Sequence, residues 1–101
     1  MRFHFMATVY ILYSKSAEKF YVGFTTIPTN ERLQRHLNNY YQNKFTSPFK
    51  DWELFYEIPC ESEKQARLIE AHIKKMKSKQ YILNLGAFPE ISQKLLEKYN
   101  R

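Results

Sequence analysis

The segment from Ala7 to Ser14 constrains the fold of this chain more than any other part of its sequence. Large side chains alternate along it on two faces, Val9, Ile11 and Tyr13 on one and Tyr10 and Leu12 on the other. Aromatic and β-branched residues favour strands, and large side chains on both faces indicate a strand that is buried on both sides. We therefore predict a sheet in which this strand is covered on both faces.

A hairpin is predicted to follow from this strand. Residues 14–19 form a polar connection of hairpin length, and a second strand runs from Phe20 to Thr25. The two strands are then antiparallel, with Tyr10 opposite either Tyr21 or Gly23. Both registers place Tyr10 and Tyr21 on the same face of the sheet, because side chains alternate with a period of two.

A first helix is predicted to begin at residues 28–31, with Thr29 or Asn30 as its N-cap, and to end near Tyr41. Its core stripe recurs at spacings of four and three residues, at Leu33, Leu37 and Tyr40. Residues 42–51 are predicted to form a polar loop.

One strand and two helices are predicted in the second half of the chain. The strand runs from Trp52 to Cys60, and a capping box of Ser62 and Gln65 opens the next helix. Its core side carries Ala66, Ile69, Ile73 and Met76. A short segment ends at residues 84–86, and Pro89 begins the last helix.

This order of elements predicts an α+β fold, a small three-stranded antiparallel sheet flanked by helices. A chain of 101 residues has the size of one domain. We expect that domain to fill residues 1–101, with its core at about 6–86 and a C-terminal helix at about 89–100.

The charge balance indicates a polyanionic partner. The chain has 16 Lys and Arg against 10 Asp and Glu, a formal net charge of +6 and a pI of about 9.5. A basic stretch that attracts phosphate whatever the base sequence supplies the candidate contacts, Arg67, Lys74, Lys75, Lys77 and Lys79. The alternative is a solvated basic face with no partner.

Composition excludes several other classes of protein. The one cysteine, Cys60, cannot form an internal disulfide and excludes a cysteine-rich zinc site. No apolar run reaches the roughly 18 residues that span a bilayer, and residues 1–6 lack the features of a signal peptide. We therefore expect a cytoplasmic protein.

Six polar residues lie at the edges of the apolar segments, Tyr10, Tyr21, Arg32, His36, Glu70 and Asn84. Each has an ordinary structural explanation. A strand tyrosine usually packs in the core, Glu70 can pair with Lys74 at a favourable spacing of four, and Asn84 can end a helix. Arg32 and His36 are also four residues apart, so they share a helix face.

Together these residues resemble the GIY-YIG nuclease superfamily. Thr8-Val9-Tyr10 corresponds to the first family motif, Tyr21-Val22-Gly23 to the second, Arg32 and His36 to the helix motif, Glu70 to the metal-binding glutamate and Asn84 to an asparagine near the end of the module. The resemblance covers about residues 6–86. The chain is similar in particular to short stand-alone bacterial members of the superfamily. These members are named for their likeness to the N-terminal domain of the nuclease component of the bacterial excinuclease. Thr8 replaces the motif glycine, and Phe24 stands where several members have a lysine.

The resemblance implies a metal-dependent DNA endonuclease. Glu70 would hold one Mg²⁺ or Mn²⁺ ion, which acts as a Lewis acid on the phosphoryl oxygen. Arg32 would pair with phosphate oxygens, and Asn84 would fix the geometry around Glu70. Such an enzyme would nick DNA or recognise a DNA structure, for example in repair.

The same resemblance assigns the proton transfers to three residues. Tyr10 would act as general base with Tyr21 orienting the water or phosphate, or the two roles would be exchanged. His36 would position Tyr10 or relay its proton.

Two further functions stay open from the sequence. One is a catalytically weak module that binds branched or single-stranded nucleic acid, and the other is an interaction domain that has lost the chemistry. DNA is the expected partner, with no membrane and no small-molecule cofactor, and the oligomeric state is not predicted.

Overall fold

A three-stranded antiparallel sheet forms the centre of the computed structural model, which describes residues 6–38 and 48–100. The strands are β1 (Ala7–Ser14), β2 (Lys19–Thr25) and β3 (Trp52–Cys60), in the order β2-β1-β3. The helices described are α1 (Thr29–Leu37), α2 (Glu63–Met76), α3 (Lys79–Ala87) and α4 (Pro89–Lys98). The predicted α+β class is confirmed.

The central strand β1 is covered on both faces, as its sequence predicts. Val9 and Ile11 face a core closed by apolar residues of α2, α3 and α4. Tyr10 and Leu12 face the opposite way, into a smaller cluster with Trp52 and the side of α1 that carries Leu33 and Leu37. The sheet therefore separates α1 from the other three helices, and the two tyrosine motifs face α1.

Steric fit selects one of the two predicted hairpin registers. Tyr10 pairs with Gly23, and Leu12 pairs with Tyr21. The Tyr10 ring lies directly against Gly23, where an added Cβ would come within 2.6 Å of the Tyr10 hydroxyl oxygen. Only a residue without a side chain leaves room for the ring in this register.

The predicted N-cap of α1 is wrong. The helix begins at Thr29, and Pro28 occupies the cap position without a side-chain cap bond. Thr29 Oγ1 donates instead to Glu57 Oε1 on β3 at 3.1 Å, which ties the start of the helix to the sheet. Asn30 Oδ1 accepts from the adjacent backbone N–H of Glu31 at 2.9 Å, inside the first turn.

The end of α1 also differs from the prediction. The helix ends at Leu37, several residues before the predicted end near Tyr41, and Asn38 follows it with non-helical dihedrals. Tyr40, Tyr41 and most of the predicted loop over 42–51 lie outside the described residues.

The start of α2 follows its predicted capping box. Gln65 N–H donates to Ser62 Oγ at 3.0 Å, and Gln65 Oε1 accepts from the N–H of Glu61 at 2.8 Å. Of the predicted core side, Ala66, Ile69 and Ile73 are buried. Met76 is 45% exposed, so its placement was wrong. It is the last residue of α2, and the helical conformation ends directly after it.

Residues 84–86, predicted to end a short segment, lie inside α3. Ser78 caps this helix by accepting from Tyr81 N–H at 3.1 Å. The last helix, α4, has Pro89 in its first turn as predicted. No helix in the two described ranges combines the length and hydropathy needed to cross a membrane.

Candidate active site

A buried tyrosine and histidine and a partly buried arginine form the centre of the candidate site. The Tyr10 hydroxyl lies 2.8 Å from His36 Nε2, and Arg32 Nε donates to the same hydroxyl oxygen at 3.1 Å. Tyr10 is fully buried and His36 is 2% exposed. Because Arg32 and His36 are one helical turn apart on α1, both side chains reach the same point above β1.

Burial and a neighbouring charge favour the neutral form of His36. Burial, together with the charge of Arg32, lowers the pKa of His36 from 6.5 to about 4. His36 is therefore neutral at pH 7. Since Arg32 only donates, the Tyr10 oxygen accepts from Arg32. The Tyr10 O–H is the donor to His36 when the imidazole proton is on Nδ1, and His36 is the donor when that proton is on Nε2.

Tyr21 lies beside this cluster on the same face of the sheet, as predicted. Its ring centroid is 6.3 Å from that of Tyr10 and 5.2 Å from that of His36, and it packs edge-on to Trp52. Tyr21 is half-buried, whereas Tyr10 has no exposed surface. Four of the six predicted site residues are thus brought together.

Glu70 and Asn84 lie on helices that cover the other face of the sheet. Glu70 is partly buried on α2 and pairs with Lys74 at 3.3 Å, the ordinary contact that its spacing allows. Asn84 Oδ1, on α3, accepts from Gln80 Nε2 at 3.0 Å. The contacts described for these two residues do not join them to Tyr10, Arg32 or His36.

The described residues fit a magnesium ion only if water and substrate phosphate supply most of its ligands. Within residues 6–38 and 48–100, no three His, Cys, Asp or Glu side chains are grouped so as to hold a metal. A single carboxylate such as Glu70 suits Mg²⁺, which keeps several waters and binds substrate phosphate.

Arg32 also lines an open cleft of about 340 Å³ at the start of α1. Phe24, Arg35 and Glu63 share this lining. Phe24, which replaces a lysine found in several family members, packs against the larger core. The positively charged side chains described near Phe24 are therefore those of Arg32 and Arg35. Arg35 is paired with Glu31 at 3.0 Å.

Tyr21 lines a different groove, of about 600 Å³, together with several lysines of the predicted basic stretch. Lys74, Lys77 and Lys79 lie along it. Lys75 lines a separate cleft beside His72 and Tyr99, and Arg67 is exposed on α2 and lines neither. The structure thus divides a cluster that is continuous in sequence.

Two residues at the site were missed by sequence reasoning. Gly23 was treated as part of a motif, although its missing side chain is what admits the Tyr10 ring. Lys19 joins the lysines of α2 and α3 at the Tyr21 groove. Its position two residues before Tyr21 on the same strand is a signal that could have identified it.

A comparison with protein families identifies the family of this domain. The model of the GIY-YIG catalytic domain matches residues 6–82. The match includes both tyrosine motifs, Arg32, His36 and Glu70, and it ends just before Asn84. No curated protein and no solved structure gives a significant match to the chain.

Proposed function

Because the chain belongs to the GIY-YIG family, we propose that it is an endonuclease that hydrolyses phosphodiester bonds in DNA. The observation that carries this proposal is the contact of Arg32 with the buried Tyr10–His36 pair. Packing of the core alone does not require the Arg32 guanidinium to contact the buried hydroxyl of Tyr10.

Arg32 is the proposed phosphate ligand. Its Nε is held by the Tyr10 oxygen, which orients the planar guanidinium at the wall of the cleft that Arg32 lines. A guanidinium pairs in a fixed geometry with the non-bridging oxygens of a phosphate and stabilises the charge that develops there during attack. Tyr10 and His36 are positioning residues in this scheme, because they act through Arg32.

Burial favours Tyr21 over Tyr10 as the residue that contacts the attacking water. Tyr10 has no exposed surface, whereas Tyr21 is half-buried and lines an open groove. We assign the general base to Tyr21, one of the two arrangements that the family resemblance allows. In this step the Tyr21 phenolate takes a proton from water as the water oxygen bonds to phosphorus, the bond between phosphorus and the 3′ oxygen breaks, and the 3′ oxygen takes a proton from solvent.

Glu70 is the proposed metal ligand. Its ion-pair partner Lys74 lines the same groove as Tyr21, and this contact at 3.3 Å supports the assignment. A bound Mg²⁺ or Mn²⁺ would supply a Lewis acid for the phosphoryl oxygen and the leaving oxygen. Asn84, on the next helix, is proposed to support the position of Glu70.

One active site cuts one strand at a time, so we propose a nicking or structure-directed enzyme. The closer likeness to the nuclease component of the bacterial excinuclease, a role in DNA repair and a cytoplasmic location also remain proposals. The alternative, a catalytically weak binding module, is favoured by one observation, the packing of Phe24 where several relatives carry a lysine.

A plasmid nicking assay with Mg²⁺ or Mn²⁺ tests the proposed function. The wild type should convert supercoiled DNA to the open circle, and Arg32→Gln and Tyr21→Phe should not. Lys64→Gln, an exposed change at the start of α2, is the matched control. DNA binding without nicking by the wild type, on plasmid and on branched substrates, would favour the binding module instead.

A further inference from the structure

A groove follows the outer edge of the sheet away from the candidate site. Strand β2 is an edge strand, and the groove lies between it and the junction of α2 with α3. Apolar side chains that belong to the larger core line it, Phe20, Val22, Ile73 and Ile82. Tyr21 is also a lining residue of the groove, and its ring packs on His36, so the groove and the candidate site share this residue.

Four lysines line this groove, Lys19 of β2, Lys74 of α2, Lys77 between α2 and α3, and Lys79 of α3. Its described lining contains no acidic side chain. Lys74 pairs with Glu70, and Lys79 Nζ donates to the Glu18 carbonyl at 3.0 Å, so both ammonium groups are held in place. The result is an apolar cleft with a positive rim.

Lys77 occupies a backbone position that favours glycine. It follows α2 in the left-handed conformation, with φ 48° and ψ 43°. Glycine is the usual residue there, because a residue with a Cβ is disfavoured in this conformation. Lys77 therefore lines the groove even though its backbone conformation is unfavourable for a residue with a side chain.

We propose that this groove binds an unpaired strand of DNA and leads it to Tyr21, an inference that rests on the proposed nuclease function. Phosphates contact the lysines, and bases lie on the apolar floor. A duplex keeps its base faces stacked inside and presents mainly phosphates, so it would leave the floor uncovered. An acidic peptide matches the lysines but supplies no flat ring for the floor.

Fluorescence anisotropy in the presence of a chelator, which blocks metal-dependent cleavage, measures this binding directly. The probes are a labelled oligothymidine, the duplex of the same length, and an abasic strand with the same phosphates. The single strand should bind most tightly. The abasic strand should bind more weakly, because it has the charge but lacks the bases. Equal or tighter binding of the duplex or of the abasic strand would overturn the proposal, as would equal competition by polyglutamate.

Two double variants, each lacking two positive charges, test where the single strand binds. Lys19→Gln with Lys77→Gly removes two ammonium groups from the groove, and the glycine suits the backbone at that position. Lys75→Gln with Lys98→Gln removes two from the separate cleft. The groove variant should lower the log–log salt slope of single-strand binding by about 1.4, since each phosphate contact contributes about 0.7. Equal losses in both variants would overturn the proposal.

The proposed nuclease function and this inference fail in different ways. If the wild type binds single strands through the groove but never nicks DNA, the nuclease function is wrong and the groove stands. If it nicks DNA with no preference for single strands in binding, the groove is wrong and the nuclease function stands. Thermal unfolding of each variant confirms that the fold is intact, and Lys77→Gly alone should not lower the melting temperature.

Discussion

The hydroxyl of Tyr10 lies 2.8 Å from Nε2 of His36, in the layer between the central strand and helix α1, which covers this face of the sheet. The strand supplies the phenol and the helix supplies the imidazole, so the contact depends on the packing of α1. Both groups are buried, and the charge of Arg32 next to them disfavours a second positive charge on the imidazole. These facts make the contact sensitive to substitution and to pH.

Removing the Tyr10 oxygen should cost more stability than removing that of Tyr21. Tyr10→Phe leaves His36 Nε2 without this buried partner, and we expect a loss of about 1–3 kcal/mol in the free energy of unfolding. Tyr21→Phe should cost less than about 1 kcal/mol because the side chain is half-buried. Urea unfolding of both variants measures the difference, and equal losses would contradict the different burial of the two hydroxyls.

Stability should fall as the pH is lowered through the range between about 4 and 6.5. The pKa of His36 is lowered to about 4 in the folded protein, so between these values the unfolded chain binds the proton and the folded chain does not. The slope attributable to His36 is at most about 1.4 kcal/mol per pH unit. Chemical unfolding at a series of pH values, with His36→Gln as the comparison, measures it.

His72 should also make the stability fall as the pH is lowered, so its contribution needs a separate control variant. Burial, then the charges of Lys98 and Lys75, lowers its pKa. His72→Gln should therefore remove part of the pH dependence without affecting DNA cleavage, and His36→Gln should remove another part and slow cleavage as well. A pH dependence that survives both substitutions unchanged would exclude these two histidines as its source.

An alanine at Gly23 should disable the site by displacing the Tyr10 ring. The added Cβ would lie 2.6 Å from the hydroxyl oxygen and 2.7 Å from the ring carbon that bears it. We expect a loss of about 1–3 kcal/mol in stability from this overpacking, with cleavage strongly reduced. Gly86→Ala is the matched control, because its Cβ would crowd the Phe55 ring at 3.1 Å on the other face of the sheet. Cleavage at the wild-type rate by Gly23→Ala would exclude the contact of Tyr10 with Arg32 from the mechanism.

The ion pair of Glu70 and Lys74 should compete with a metal ion. Glu70→Gln should abolish metal-dependent cleavage, whereas Lys74→Met should leave the carboxylate more available and lower the metal concentration needed for half-maximal cleavage. Either change should alter stability by less than about 1 kcal/mol, since Lys74 is largely exposed. Calorimetric titration with Mn²⁺ gives a second readout, and unchanged binding in Glu70→Gln would remove this residue as the ligand.

Sequence patterns predicted the strands well because aromatic and β-branched residues mark them and because large side chains alternate on two faces of β1. The ends of the helices depend on contacts that no local pattern contains. Thr29 bonds to Glu57 instead of capping α1. Gly86 lies inside α3, one residue before its end, and the ring of Phe55 packs closely against it.

The candidate site was predicted in part for the same reason. Arg32 and His36 share a face through helical geometry alone, and strand alternation places Tyr10 with Tyr21. The position of Glu70 relative to these four depends on how α2 packs across the sheet, which its spacing along the chain does not determine. The roles of Glu70 and Asn84 therefore remain predictions.

The burial of β1 on both faces makes the candidate site and the core of the fold depend on the same strand. A slip of this strand by one residue would turn Tyr10 toward α2, α3 and α4 and turn Ile11 toward Arg32 and His36. The protein would lose its core and its buried hydroxyl in the same event. A library of random β1 variants sorted only for folded protein should therefore already be enriched in Tyr10, before any selection for cleavage.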